Sequence, residues 1–397
     1  MKLPIYMDYH ATTPVDPRVL AVMTPYFTEH FGNPSSRSHS FGWRAAEAVE
    51  EARAHVARLI GADPKEIYFT SGATESDNLA IKGVALKHLG NAAQILTSPI
   101  EHKAILDPCK WAEKQGIEVV FLPVDRHGIV DPATVEEAIT EHTVIVSIIF
   151  SNNEIGTIEP IREIGLITRS HGVLLHTDAA QAAGKIPVDV SAMNIDLLSL
   201  TAHKLYGPKG IGAIYVRGGD AREILDPLLY GGGQENGLRP GTLNVPGIVG
   251  LGEACRICQE EMTAESQRLG RLRDRLRDGL FAELDDVHLN GHPTERLAHN
   301  LNLSFGYVEG EALLMSMSDV AVSTGAACNS AGSKGSHVLE AIGLPDDLIQ
   351  SSIRIGLGRF TTEEEVEYVK GRIVEAVRSL RELSPQYAAD HANRSRR

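Results

Sequence analysis

Between residues 60 and 216, short apolar runs alternate with longer stretches of mixed character. The runs at 67–70, 94–97, 119–123, 144–150, 173–176, 196–200 and 211–216 have the length and composition of buried strands. Helices fit between most of them, at 74–89, 104–115, 131–139 and 161–171. A further helix is predicted over 41–60, stopped by Gly61, and Asp16-Pro17 reads as a cap followed by a first-turn proline. Apolar strands separated by helices predict a mainly parallel, seven-stranded sheet covered on both faces. Residues 15–260 are thus expected to form one large α/β domain.

The pattern then changes. Residues 246–284 are long, charged and helical, and strand signals become sparser, at 301–304, 321–323 and 353–357, before a last helix over 362–383. This predicts a smaller α+β domain made of 1–14 and 261–397. It carries the loop around Cys328.

Length and charge narrow the function. A chain of 397 residues can bury a large core, and its composition is that of a globular protein. Lys+Arg 38 against Asp+Glu 52 gives −14, which argues against nucleic acid or an anionic membrane as the main partner. Four cysteines are too few for a disulfide framework, and the opening MKLPIYMDYH has no signal-peptide core, so a reducing, cytoplasmic location is expected.

Chemistry gathers where the predicted strands end. The run 195–200 leads into Thr201-Ala202-His203-Lys204 and a Gly/Pro-rich turn, and 173–176 leads into Thr177-Asp178. Open α/β sheets bind ligands at such strand ends. A lysine for an aldehyde and an acid for a pyridine nitrogen are what pyridoxal phosphate (PLP) requires. Ser71-Gly72-Ala73-Thr74 follows another strand and opens a helix, a place for a phosphate. A capping box of Thr74 with Asp77 is the bland alternative, outweighed only beside Asp178 and Lys204. His102 could stack on a flat cofactor or merely cap a helix. Asn152 and Asn153 could bond a phenolic oxygen or a substrate carboxylate, or simply form a turn. His176 and Asp178 share a strand face, but no third ligand completes a metal site. The 231–242 loop offers a second phosphate contact or a plain linker. Cys255 and Cys258 match C-x-x-C but fall in a predicted helix and read as packing residues. Cys328, by contrast, sits in a small, polar, glycine-rich stretch suited to nucleophilic chemistry. Arg354 suits a carboxylate or a salt bridge.

Taken together, DYHATTPVDPRV, FGNPSSRSH, FTSGATESDN, EHKAI, NNEIG, HTDAAQ, AHKLYGPKGIGA, GGGQE, RPGT, STGAACNS and SSIR resemble the cysteine desulfurases of the NifS/IscS type, fold-type-I PLP enzymes. The resemblance runs from Leu3 to about Pro385. It implies a Schiff base between Lys204 and PLP, with Ala73, Thr74, Thr201, Ala202 and His203 around the phosphate and Thr242 reaching in from a second subunit of a homodimer. His102 would stack on the ring and assist proton transfer, Asp178 would pair with the pyridine nitrogen, and Gln181 would bond the phenolic oxygen. Asn153 and Arg354 would bind L-cysteine. Cys328 would take its sulfur as a persulfide, leaving L-alanine, and pass it to an acceptor or an iron–sulfur scaffold protein. No resident metal is implied, although Cys328 could ligate an iron–sulfur species transiently. Ala202, Pro240 and Ala326 depart from the family's usual residues but remove no catalytic group. Selenocysteine lyase, or another PLP-dependent transferase of the same fold, is the alternative, and a non-catalytic sulfur-relay or scaffold subunit is the alternative outside enzymes.

Overall fold

The structure, a computed structural model, describes residues 2–324 and 335–394. Its strands are β1 (Ile5–Tyr6), β2 (Ile67–Thr70), β3 (Gln94–Thr97), β4 (Glu118–Phe121), β5 (Thr143–Ser147), β6 (Leu174–Asp178), β7 (Leu197–Thr201), β8 (Gly212–Val216), β9 (Val287–Leu289), β10 (Asn300–Phe305), β11 (Val320–Ala321) and β12 (Ser352–Gly356). Seven of them make one sheet in the order β2-β8-β7-β6-β5-β3-β4. Only β8 runs against its neighbours, so the sheet is mainly parallel. Its central strands are apolar on both faces because both are covered. The helices Ala73–Lys87 and Lys103–Lys114 pack on one side, through Leu79, Val84, Ile105 and Cys109. Ser40–Ile60, Ile161–His171 and the start of Val245–Glu283 cover the other, through Val49, Val56, Ile164 and Ile248.

Local signals fix the boundaries. The helix Ser40–Ile60 stops where Gly61 takes φ 70° and returns its amide to Ala57. Asp16 caps Pro17–Met23 by accepting from the Arg18 amide. The run expected to form a strand through 150 leaves the ladder at Ser147. The chain past it still bonds β6, through Ile148 N to His176 O and Phe150 N to Asp178 O, and turns towards the strand ends.

A second core forms beside the first. The antiparallel sheet β12-β10-β9 and the helix Glu363–Glu382 enclose Leu301, Leu303, Ile353, Ile355, Val369 and Ile373. The helix Val245–Glu283 spans both cores, giving Cys255 and Cys258 to the first and Leu269, Leu272, Leu276 and Leu280 to the second. The chain's start joins the second core: β1 pairs with β11, Ile5 and Met7 are buried there, and Asp8 bridges to Gly356.

Candidate active site

A cleft of about 550 Å³ opens where strands β2, β3, β6 and β7 end, as the rule for open α/β sheets predicts. Lys204, Asp178, His102, Ala73, Thr74, Thr201, His203, Gln181, Asn153 and Arg354 all line it. Ala202 does not; it is buried beneath the turn that carries Lys204, and its amide bonds Ile211 O. Thr242 is exposed and lies outside its own chain's cleft. Cys328 lies outside the described residues.

One end of the cleft is a helix start. The helix Ala73–Lys87 has Gly72, at φ 152°, as its cap, and among the described residues no side chain caps its first-turn amides. These amides are therefore left for an anion. The alternative capping box of Thr74 with Asp77 is not formed. Gly72 passes so close to the end of β8 that a Cβ on Gly212 would come within 2.7 Å of the Gly72 Cα. Asp77 is instead buried at the bottom of the cleft lining, 3.7 Å from His176 Nε2.

Asp178 ends β6 and is almost wholly buried. Its Oδ1 accepts from the Ala180 amide at 2.8 Å. Burial raises its pKa, while His102, that amide and Lys204 pull the other way. A cationic partner at the cleft face would favour the carboxylate form. Below it, His176 is a core residue: its nitrogens meet Ser147 Oγ at 2.9 Å and Ser199 Oγ at 3.1 Å, and burial takes its pKa down to about 3. Among the described residues no cluster suits a metal ion.

His102 bears out the capping reading, and its place in the cleft leaves the other open. It caps Lys103–Lys114, Nδ1 accepting from the Ala104 amide at 3.2 Å, and its ring lines the cleft. A neutral ring accepting at Nδ1 keeps its hydrogen on Nε2. Burial lowers its pKa, opposed by Asp178 and helped by Lys204 and Lys103. Next to it, Glu101 is a buried strut held by Ser98 Oγ at 2.6 Å and the Ile149 amide at 2.9 Å.

Lys204 closes a 3-10 turn after β7. Its Nζ donates to the carbonyls of His10 and, at 2.8 Å, Ala11. The turn is tied to the N-terminal segment: Thr13 N and Oγ1 both donate to His203 O, and the Tyr206 amide donates to Thr13 Oγ1 at 3.0 Å. His203, its pKa brought to about 4 by burial and then by Lys204 and Lys209, is neutral near pH 7.

Of the two asparagines, Asn152 is turn chemistry: Oδ1 accepts from the amides of Glu154 and Ile155. Asn153 faces the cleft. Arg354 both lines the cleft and makes the salt bridge weighed against that role. Its Nη2 meets Asp8 Oδ1 at 2.9 Å and its Nη1 the Asn153 carbonyl at 3.0 Å, while the buried Nε has no bond partner among the described residues. Cys255 and Cys258 are buried in their helix. Sequence reasoning gave no site role to His10, Ala11, Thr12 or Lys209, which also line the cleft. The cluster of hydrogen-bonding side chains at 8–13 was the available signal.

The residues present fit PLP: an amine, an acid out of water across the cleft, an uncapped helix start and a flat neutral ring. Fold and site thus define a PLP-dependent enzyme of the fold-type-I class. Residues 5–369 match the aminotransferase class-V family. Cysteine desulfurase IscS of Anaeromyxobacter sp. (strain Fw109-5) is 58% identical over 387 residues, covering 98% of this chain and 96% of that one. The same enzyme from Pseudomonas aeruginosa (strain UCBPP-PA14) is 54% identical over 390 residues, covering 97% and 95%. Among solved structures, a NifS-like protein superposes with TM-score 0.87 at 40% identity, covering 94% and 98% of the two chains. One described as SspA in complex with cysteine gives 0.79 at 39%, covering 90% and 100%. The chain belongs to the aminotransferase class-V family and, within it, to the IscS-type cysteine desulfurases.

Proposed function

We propose that this chain takes the sulfur from L-cysteine, giving L-alanine and a persulfide on Cys328. The observation that carries the reading is the convergence of the Lys204 amine and the buried Asp178 carboxylate on one cleft. Bound there, PLP supplies an electron sink for the substrate's α-carbon. Ala73, Thr74, Thr201 and His203 hold the phosphate end and Asp178 the pyridine nitrogen. Lys204, located by the His10 and Ala11 carbonyls, takes and returns the α-proton. Arg354, with Asn153 beside it, binds the substrate carboxylate, its unpartnered Nε adding a donor to the groups shared with Asp8. His102 handles the thiol proton.

The transfer breaks the substrate's carbon–sulfur bond and forms a sulfur–sulfur bond at Cys328. The proton lost by the Cys328 thiol is balanced by one gained at the alanine methyl group. Cys328 is five residues beyond Ser323, hence at most ~17 Å along an extended chain. Ser323 is anchored at the cleft, its Oγ donating to Asp8 at 3.1 Å and its carbonyl accepting from the Arg354 amide at 2.7 Å. Past the residues that are not described, Ser336 donates to the Glu154 carboxyl.

The same reading includes a homodimer, with Thr242 completing the partner's phosphate site. In support, Phe31, Phe41 and Trp43 are exposed, and a groove runs from Pro34 and Arg37 to Gln234 and Leu243, next to Thr242. It divides the chain into a large domain over 15–260 and a small one of 1–14 and 261–397, in keeping with the two cores. It puts the enzyme in the cytoplasm with a sulfur acceptor or iron–sulfur scaffold as its partner. No helix among the described residues is long and apolar enough to cross a membrane.

The test is alanine release from L-cysteine by wild type and Cys328→Ser. The variant should bind PLP and cysteine yet make no alanine. Normal turnover by it would overturn the reading, as would a wild-type protein that releases only transamination products.

A further inference from the structure

Gln181 faces the cleft, but an amide is useful to a phenolic oxygen only one way round. Its N–H side attracts an oxyanion; its carbonyl side repels one. The orientation is decided by a chain of hydrogen bonds that starts at a buried arginine. Arg296 Nη2 lies 2.8 Å from Asn300 Oδ1, and a guanidinium can only donate. Asn300 therefore turns its nitrogen away, where Nδ2 meets the Glu154 carbonyl at 3.1 Å and His10 Nε2 at 3.1 Å. Nε2 must accept, so a neutral His10 carries its hydrogen on Nδ1. Gln181 Oε1 lies 3.0 Å from that Nδ1 and takes the hydrogen. Gln181 Nε2 returns one N–H to the His10 carbonyl at 3.1 Å. The second N–H of the amide meets no partner among the described residues and is left for the cleft.

We infer that His10 is a positioning residue, which holds the Gln181 amide with its N–H side towards the cofactor's phenolic oxygen. The inference rests on the reading of Gln181 given above. Neutrality of the ring follows from its surroundings. His10 is fully buried, stacked on His299 with centroids 4.5 Å apart, and faced by Arg354 and Lys204, all of which disfavour a cation. Its carbonyl also holds Lys204 Nζ, so one residue locates both the amine and the amide.

The test is made on the PLP-loaded enzyme and reads the pH transition of the cofactor's visible band. Losing an N–H donor leaves the phenolic oxygen more basic and holds the neighbouring proton to higher pH. His10→Phe keeps a ring against His299 but removes both ring hydrogen bonds. It should raise the transition by roughly half to one pH unit, the worth of one hydrogen bond. Gln181→Leu should raise it equally. His10→Asn, which puts an N–H near the Nδ1 position, should return it to the wild-type value. A shift in Gln181→Leu without one in His10→Phe overturns the inference and spares the role of Gln181; no shift in either overturns both. A shift in His10→Asn as large as in His10→Phe overturns the donor argument. Wild-type protein carries an independent test. Its histidine 15N spectrum, assigned by the ring signals lost in His10→Asn, should show His10 neutral with hydrogen on Nδ1. Hydrogen on Nε2 contradicts the inference even if His10→Phe does not fold.

Discussion

The floor and the wall of the cleft are built differently. The floor is Asp178, Thr201, Lys204 and His102, each placed at or just after the end of a strand in one continuous sheet. Its geometry follows from ladder register and helix starts. The wall is His10, Gln181 and Arg354, with Asn300 buried behind His10, drawn from segments far apart in sequence; Arg354 meets Asp8 across 346 residues. It stands because the start of the chain lies between the two cores and bonds to both. On the proposed function, the floor would supply the reacting groups, while the wall would set how substrate and cofactor are held. Floor substitutions should therefore abolish chemistry, and wall substitutions should alter affinity or tuning.

The largest effect is expected at Lys204. Lys204→Ala removes the amine and the base together, and alanine release should drop by ~10³-fold or more. Reduction with borohydride should no longer fix the cofactor to the chain. Asp178→Ala should follow, with kcat lower by ~10²–10³-fold, the size seen when one preorganised electrostatic partner is deleted. PLP should bind more weakly as well. If Asp178→Ala changed KM alone, the division between floor and wall would fail.

A wall variant comes next. Arg354→Lys keeps the charge but loses the planar fork, and KM for cysteine should rise by ~10–100-fold with kcat changed far less. The smallest effect concerns the wall's outer edge. Burial takes the Glu154 carboxyl up to about 7, although Ser336, then Arg354 and Lys103, lower it. Its folded pKa lies above the ordinary 4.5, so the unfolded chain ionises first as pH rises. The folded protein thus loses stability between about pH 4.5 and 7 on account of this group. Glu154→Gln should gain in Tm relative to wild type from pH 5 to 8, and the gain should vanish near pH 4. A constant offset across that range would show that Glu154 does not titrate there.

The same division explains what the sequence disclosed. The apolar runs of the inner strands were legible because a covered sheet leaves no polar alternation there, and Gly61 and Asp16 marked helix ends by local chemistry. Lys204, Asp178 and His102 were legible for the same reason, since a strand end is a local feature. The capping alternative at Thr74 could not be settled locally. Gly72 becomes the cap because Gly212, on the adjacent β8, leaves it room. The polar cluster at 8–13 marked His10 as a residue to watch, but its partners were hidden. Nothing near it in sequence shows that Gln181 and Asn300 meet its two ring nitrogens. A salt bridge, with no partner named, was foreseen for Arg354 as an alternative to a site role; the folded chain supplies Asp8 as that partner and still leaves Arg354 lining the cleft.

The central claim is that Lys204, across from Asp178, is the residue that holds PLP. Lys209 lines the same cleft and Lys103 follows His102, so the choice is a real one. The direct measurement is borohydride reduction of the PLP-loaded protein, followed by mass spectrometry of its peptides. The account predicts the added pyridoxyl phosphate on Lys204 alone. Label on Lys209 or Lys103, or on no lysine in a protein that still releases alanine, would contradict it.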